Sequence, residues 1–131
     1  MTMTNNTFGG RDLSLHGAQF RDELLAFTAP ATVLRGTVLG RVTATGRLTP
    51  WSAAAFDGSQ VAVALVPSDV VATGAGDVAI RALIAGEVAR SRLVIAADGN
   101  GNNITAALID QLRNIGITVI DVAPLGDSAV A

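Results

Sequence analysis

Cysteine and lysine are absent from the 131 residues, and histidine occurs once. Without cysteine there is no disulfide framework, no thiolate nucleophile and no Cys/His site for zinc or an iron–sulfur cluster. The nine basic residues are all arginine and face eleven Asp+Glu, for a net charge of −2. That balance lacks the clustered cations that neutralise phosphates, so no nucleic-acid partner is expected. Long apolar runs are missing too: the longest, Val61–Val66, falls far short of a bilayer span, and no membrane partner is expected. The opening MTMTNNTF carries neither a basic stretch nor an apolar core, so no secretory signal is expected. These absences and the length point to one soluble, non-secreted domain.

Aromatic residues are scarce, with four Phe, one Trp and no Tyr, whereas alanine occurs 23 times. Alanine buries little area, and apolar stabilisation scales at about 25 cal/mol per Å². A mean hydropathy of +0.46 with 15% charged residues is nonetheless high for a short chain that leaves much of its surface exposed. An oligomer that hides apolar surface against neighbours fits these figures; an alanine-rich monomer is the alternative.

Along the chain, residues 1–19 are polar and carry glycines at 9, 10 and 17, which reads as a flexible N-terminal arm. Phe20, Leu24 and Phe27 recur at i, i+4 and i+7 and predict a short helix ending before Pro30. Glycines at 36, 40, 46 and 58 exclude a helix over 31–60 and leave Val33-Leu34, Thr37–Leu39 and Val42-Thr43 as strand pieces. Val61–Val66, closed by Pro67, reads as a buried strand. Ile104, Leu108, Leu112 and Ile115 form one face of a helix, capped by Asn102 or Asn103 and ended at Gly116. Ile117–Val122 is β-rich. The division expected is an arm at 1–19, one β-rich domain at 20–122 and a tail at 123–131.

Four motifs invite chemistry. Gly74-Ala75-Gly76-Asp77-Val78-Ala79 fits G-x-G-x-x-A, and Asp98 follows at the distance a ribose-binding carboxylate needs, as in a small nucleotide-binding domain. Against it, Gly86 would sit inside the crossover helix, and Val78, Ile80, Ala82 and Ile84 alternate as a strand would; a hairpin turn is the simpler reading. Asp98-Gly99-Asn100-Gly101-Asn102 opens like a calcium loop, but Asn103 and Ile109 stand where Gly and Glu are required, so a polar turn is expected and no metal. Gly126-Asp127-Ser128 lacks a base for its serine, since the one imidazole, His16, lies in the arm. Asp22-Glu23 reads as a solvated face of the first helix. No catalytic residue and no cofactor are expected. Trp51 and Phe56 are candidate packing or interface anchors.

Gly36-Thr37-Val38-Leu39-Gly40, Thr43-Ala44-Thr45-Gly46, Pro50-Trp51 and Asp57-Gly58-Ser59-Gln60 occur in that order, before the 62–66 strand. In this arrangement the chain resembles the lambda-type phage head decoration proteins. Asp69-Val70, Gly86-Glu87-Val88, Leu112 with Gly116-Ile117, and the opening Met1-Thr2 with Thr7-Phe8 are similar too. Residues 11–34 depart from the family pattern. The resemblance implies a β-rich α+β fold of the β-clip type and a non-enzymatic structural role. It implies a homotrimer on the outer surface of the expanded phage head, made in the host cytoplasm, with the major capsid protein as partner. It further implies an arm that orders on the capsid by adding to a capsid strand, with Thr2, Thr4, Asn5, Asn6, Thr7 and Phe8 as the capsid-binding residues and Trp51 and Phe56 as trimer-interface candidates. A small nucleotide-binding domain or β-clip enzyme using the Gly74–Asp98 region is the second function class left open; a helix over 77–90 would keep it, and a strand there would remove it.

Overall fold

Two fourteen-residue strands, β1 (Ser14–Phe27) and β7 (Gly76–Ala89), carry the architecture. They run antiparallel, from Ser14 opposite Val88 to Phe27 opposite Gly76. The computed structural model describes residues 14–120. The short strands β3 (Val38–Arg41), β4 (Leu48–Pro50) and β5 (Ala62–Leu65) bridge the remaining gap in the order β1-β4-β3-β5-β7, and the β1–β7 pairing closes them into a barrel. Strands β2 (Ala31–Val33) and β6 (Val70–Ala72) form a separate two-stranded sheet. Beyond β7, the chain crosses through helix α1 (Ala106–Asn114) and returns as β8 (Ile117–Ile120), parallel to the end of β7.

Strand alternation divides the apolar residues between two clusters. On one face, Leu25, Phe27, Leu39, Leu48, Ala64, Val66 and Ala82 pack together. The other face contributes Val38, Leu65 and Leu83, which pack with Leu93, Ile104, Leu108, Leu112 and Ile117 in the layer containing α1.

The helix expected from Phe20, Leu24 and Phe27 is instead part of β1. An i, i+4 pair falls on one face of a strand as well as of a helix, so Phe20 and Leu24 share the exposed face while Leu25 and Phe27 take the buried one. The β7 ladder satisfies the backbone of this segment, which a lone eight-residue helix would have to do unaided. The strand also begins inside the expected arm, at Ser14. Thr2, Thr4, Asn5, Asn6, Thr7 and Phe8 lie outside the described residues, as do Ser128 and the 123–131 tail.

The second half follows the sequence pattern more closely. The strands expected within 61–66 and 117–122 are β5 and β8, and the helix expected around 104–115 is α1. Its cap is Thr105, whose hydroxyl accepts from the Leu108 N–H at 3.2 Å, rather than Asn102 or Asn103. Gly116, at φ +102°, ends it as expected. Val42-Thr43 is not a strand: the Gly46 N–H donates to the Val42 carbonyl at 2.8 Å and turns the chain toward β4.

Candidate functional site

The nucleotide reading fails on backbone conformation. Residues 76–89 are strand throughout, and Gly86 lies in that strand at φ +127°, against the Ala18 backbone. No helix N-terminus follows Gly74–Ala79, so the segment lacks the amide-lined dipole end that holds a pyrophosphate. Asp98 sits in a polar turn, its amide donating to the Ile95 carbonyl at 2.9 Å and its carboxylate accepting from the Asn103 side chain at 3.1 Å. Among the described residues no group of three or more His, Cys, Asp or Glu converges on a point that could hold a metal. His16 stands opposite Glu87 in the β1–β7 register.

Asp22 and Glu23, expected side by side on one solvated helix face, occupy opposite faces of β1. Asp22 is open to solvent, 4.0 Å from the Arg81 guanidinium. Glu23 points the other way and takes a two-point grip from Arg41 on β3: Nη1 to Oε1 at 3.0 Å and Nη2 to Oε2 at 2.8 Å. Its side chain is only 12% exposed. The hydrogen bonds from Arg41 hold the Glu23 carboxyl below the usual carboxylate range, against the opposing effect of burial. Arg41 also donates to the Gly46 carbonyl at 2.8 Å, so one guanidinium ties β1, β3 and the β3–β4 turn together.

The most elaborately constructed surface feature is the loop between β4 and β5. Trp51 opens it, buried in the α1 layer, and its indole N–H donates to the Gln60 carbonyl at 2.7 Å. The Gln60 side chain accepts from the Gly58 amide at 2.8 Å. Asp57 Oδ1 accepts from the Ser59 amide at 3.0 Å and from its hydroxyl at 2.6 Å; the hydroxyl bond is the larger reason why the Asp57 carboxyl is held below its ordinary range. Across the strand end, the Thr43 amide donates to the Asp57 carbonyl at 2.8 Å. Gly58, at φ +107°, has no room for a Cβ against Thr43 and the Arg41 carbonyl, and Gly40 presses as closely on the Ser59 backbone. At the tip of this fastened loop Phe56 is 98% exposed.

The two aromatic candidates therefore part company. Trp51 serves its own chain's core, with 8% of its surface left for any partner, whereas Phe56 has no packing within the chain. The segment's composition does not distinguish them; the Gln60 carbonyl that receives the indole does. A second feature has no sequence signal at all: a groove of about 490 Å³ beside β2, walled by the end of β1, by β2, by Thr49-Pro50 and by residues 94–99.

Residues 5–117 match the family model described as "Bacteriophage lambda head decoration protein D". The match spans 113 of the 131 residues and takes in both long strands and α1. No curated protein matches the chain.

Proposed function

The chain belongs to the bacteriophage lambda head decoration protein D family, and from that premise we propose that it acts as a trimeric cement on the outside of the phage head. A capsid decoration role and a place on the virion capsid come with the family, and both are structural rather than enzymatic. The finer reading is that three copies meet at threefold positions of the expanded head and clamp neighbouring subunits of the major capsid protein against the outward pressure of packaged DNA. On this reading the barrel is a β-clip variant, made in the host cytoplasm, carrying a flexible arm. The family match carries the proposal, and the rigid loop that presents Phe56 supports an interaction role.

Capsid attachment is assigned to the arm, through Thr2, Thr4, Asn5, Asn6, Thr7 and Phe8. Ordering each residue costs roughly 1–2 kcal/mol, which so polar a segment offsets only against a partner; Thr2, Thr4 and Thr7 suit an added strand and Phe8 suits a pocket. The test is incubation with expanded, undecorated heads, imaged by electron microscopy. The full chain should decorate them in clusters of three. A variant lacking residues 1–10 should stay folded and trimeric yet bind at least tenfold more weakly. Unchanged decoration by the truncated chain would move the attachment to the folded domain.

A further inference from the structure

Phe56 is a knob without a hole in its own chain, and the groove beside β2 is a hole without a knob. The groove is walled by apolar groups, among them Ala26, Ala31, Leu34 and Pro50, and by the threonines at 28, 32, 37 and 49; among the described residues no charged side chain lines it. Phe56 is not among its lining residues. Leu34, at its rim, leaves 43% of its surface open. Among the described residues β2 pairs on one side only, with β6. A phenylalanine ring removes roughly 150–250 Å² from water when seated, and a groove of about 490 Å³ has room for one.

We propose that Phe56 of one copy seats in the β2 groove of the next copy. The occupant is argued from three observations. The knob is held out by a loop whose ends are fastened through Trp51–Gln60, Asp57–Ser59 and Thr43–Asp57, so little freedom remains to be lost on docking. The hole has no charged side chain among the described residues, and the alanine, leucine, valine and proline surfaces between its threonines can receive an aromatic ring. Knob and hole lie on different patches of the same chain, which makes the contact head-to-tail: each copy gives one Phe56 and offers one groove, and such contacts close into a ring when the rotation between copies closes and run on as a filament when it does not. Closure at three copies rests on the trimer reading above.

The absence of cysteine makes the pairing directly testable in the full-length chain. Chains carrying Phe56→Cys and chains carrying Leu34→Cys are mixed, oxidised with diamide and run on a denaturing gel. The expected result is a two-chain product from the mixture and little from either variant alone. In parallel, sedimentation of Phe56→Ser should show unchanged folding and a monomer–trimer midpoint raised at least tenfold, with Phe56→Leu between it and wild type. A mixture that forms no two-chain product at concentrations where the cysteine variants sediment as trimers, or self-linking of Phe56→Cys alone, would overturn the seat and leave the trimer reading intact. Phe56→Ser trimers of normal stability that no longer decorate heads would also overturn it and move Phe56 to the capsid face. Wild type sedimenting only as monomer at every concentration would overturn the trimer reading, and the seat with it.

Discussion

The two apolar clusters are built from different stock. The barrel cluster mixes three alanines, at 64, 72 and 82, with Leu25, Leu39 and Leu48. The layer under α1 is dominated by long aliphatic side chains: Leu65, Leu83, Leu93, Leu108, Leu112, Ile104 and Ile117. A barrel of only five strands leaves little space between facing walls, so small residues must alternate with large ones. A helix packed on a sheet stands off by the length of its side chains and needs large ones to fill the gap. The α1 layer should therefore fail when atoms are removed, and the barrel when atoms are added.

The largest effect tests the first half of that contrast. Leu112 is fully buried on α1, and Leu112→Ala should destabilise by about 2–5 kcal/mol in urea unfolding, leaving a cavity the layer cannot close. Ala64→Leu tests the second half: Ala64 is 1% exposed, and the added carbons should cost about 1–3 kcal/mol. A neutral Ala64→Leu would show that the barrel has slack and that the contrast is one of composition only.

Smaller changes probe how each region is fastened. Glu23→Gln weakens the two-point bond to Arg41 and should cost about 1 kcal/mol at neutral pH, since Arg41 is partly open to solvent. Because folding lowers the Glu23 pKa, its contribution is present above the unfolded value of about 4.3 and fades as pH falls through the lower folded value. The stability difference between wild type and Glu23→Gln should shrink accordingly on acidification, and a constant difference down to pH 3 would contradict the assignment. Thr105→Ala should cost about 1 kcal/mol through loss of the α1 cap, while Asn102→Ala stays within about 0.5 kcal/mol.

These regions also differ in how far residue order reveals them. The α1 layer was legible because a helix followed by its strand keeps its pattern local: Leu108 and Leu112 one turn apart, Gly116 at the stop and β-branched residues after it. Even there the cap falls on Thr105 rather than on Asn102 or Asn103, since all three are competent and only the start of the hydrogen-bonded turn selects one. The barrel was less legible because its longest strand is specified from outside itself. The backbone of 14–27 is held by residues 76–88, and Glu23 turns inward because Arg41 waits there. The same holds for the candidate sites. The family resemblance rests on turn motifs that the match over 5–117 includes, and Phe56 is a candidate by side-chain type alone. Its exposure depends on how Asp57, Ser59 and Gln60 fold the loop beneath it. The groove is assembled from four separate segments, and no window of sequence contains it.

The closure of β1 on β7 has a consequence for solubility. Exposed strand edges offer unpaired amides and carbonyls to any neighbour, and long, flat edges are where chains zip into aggregates. Here the two fourteen-residue strands pair along one edge of each, while on their second edges β1 is met by β4 at Leu25–Leu48 and β7 by β5 at Leu65–Leu83 and by β8 over Gly86–Ala89. Opening the barrel would uncover the edges that β1 and β7 cover for each other, so a change that loosens this seam should raise the tendency of a concentrated stock to aggregate.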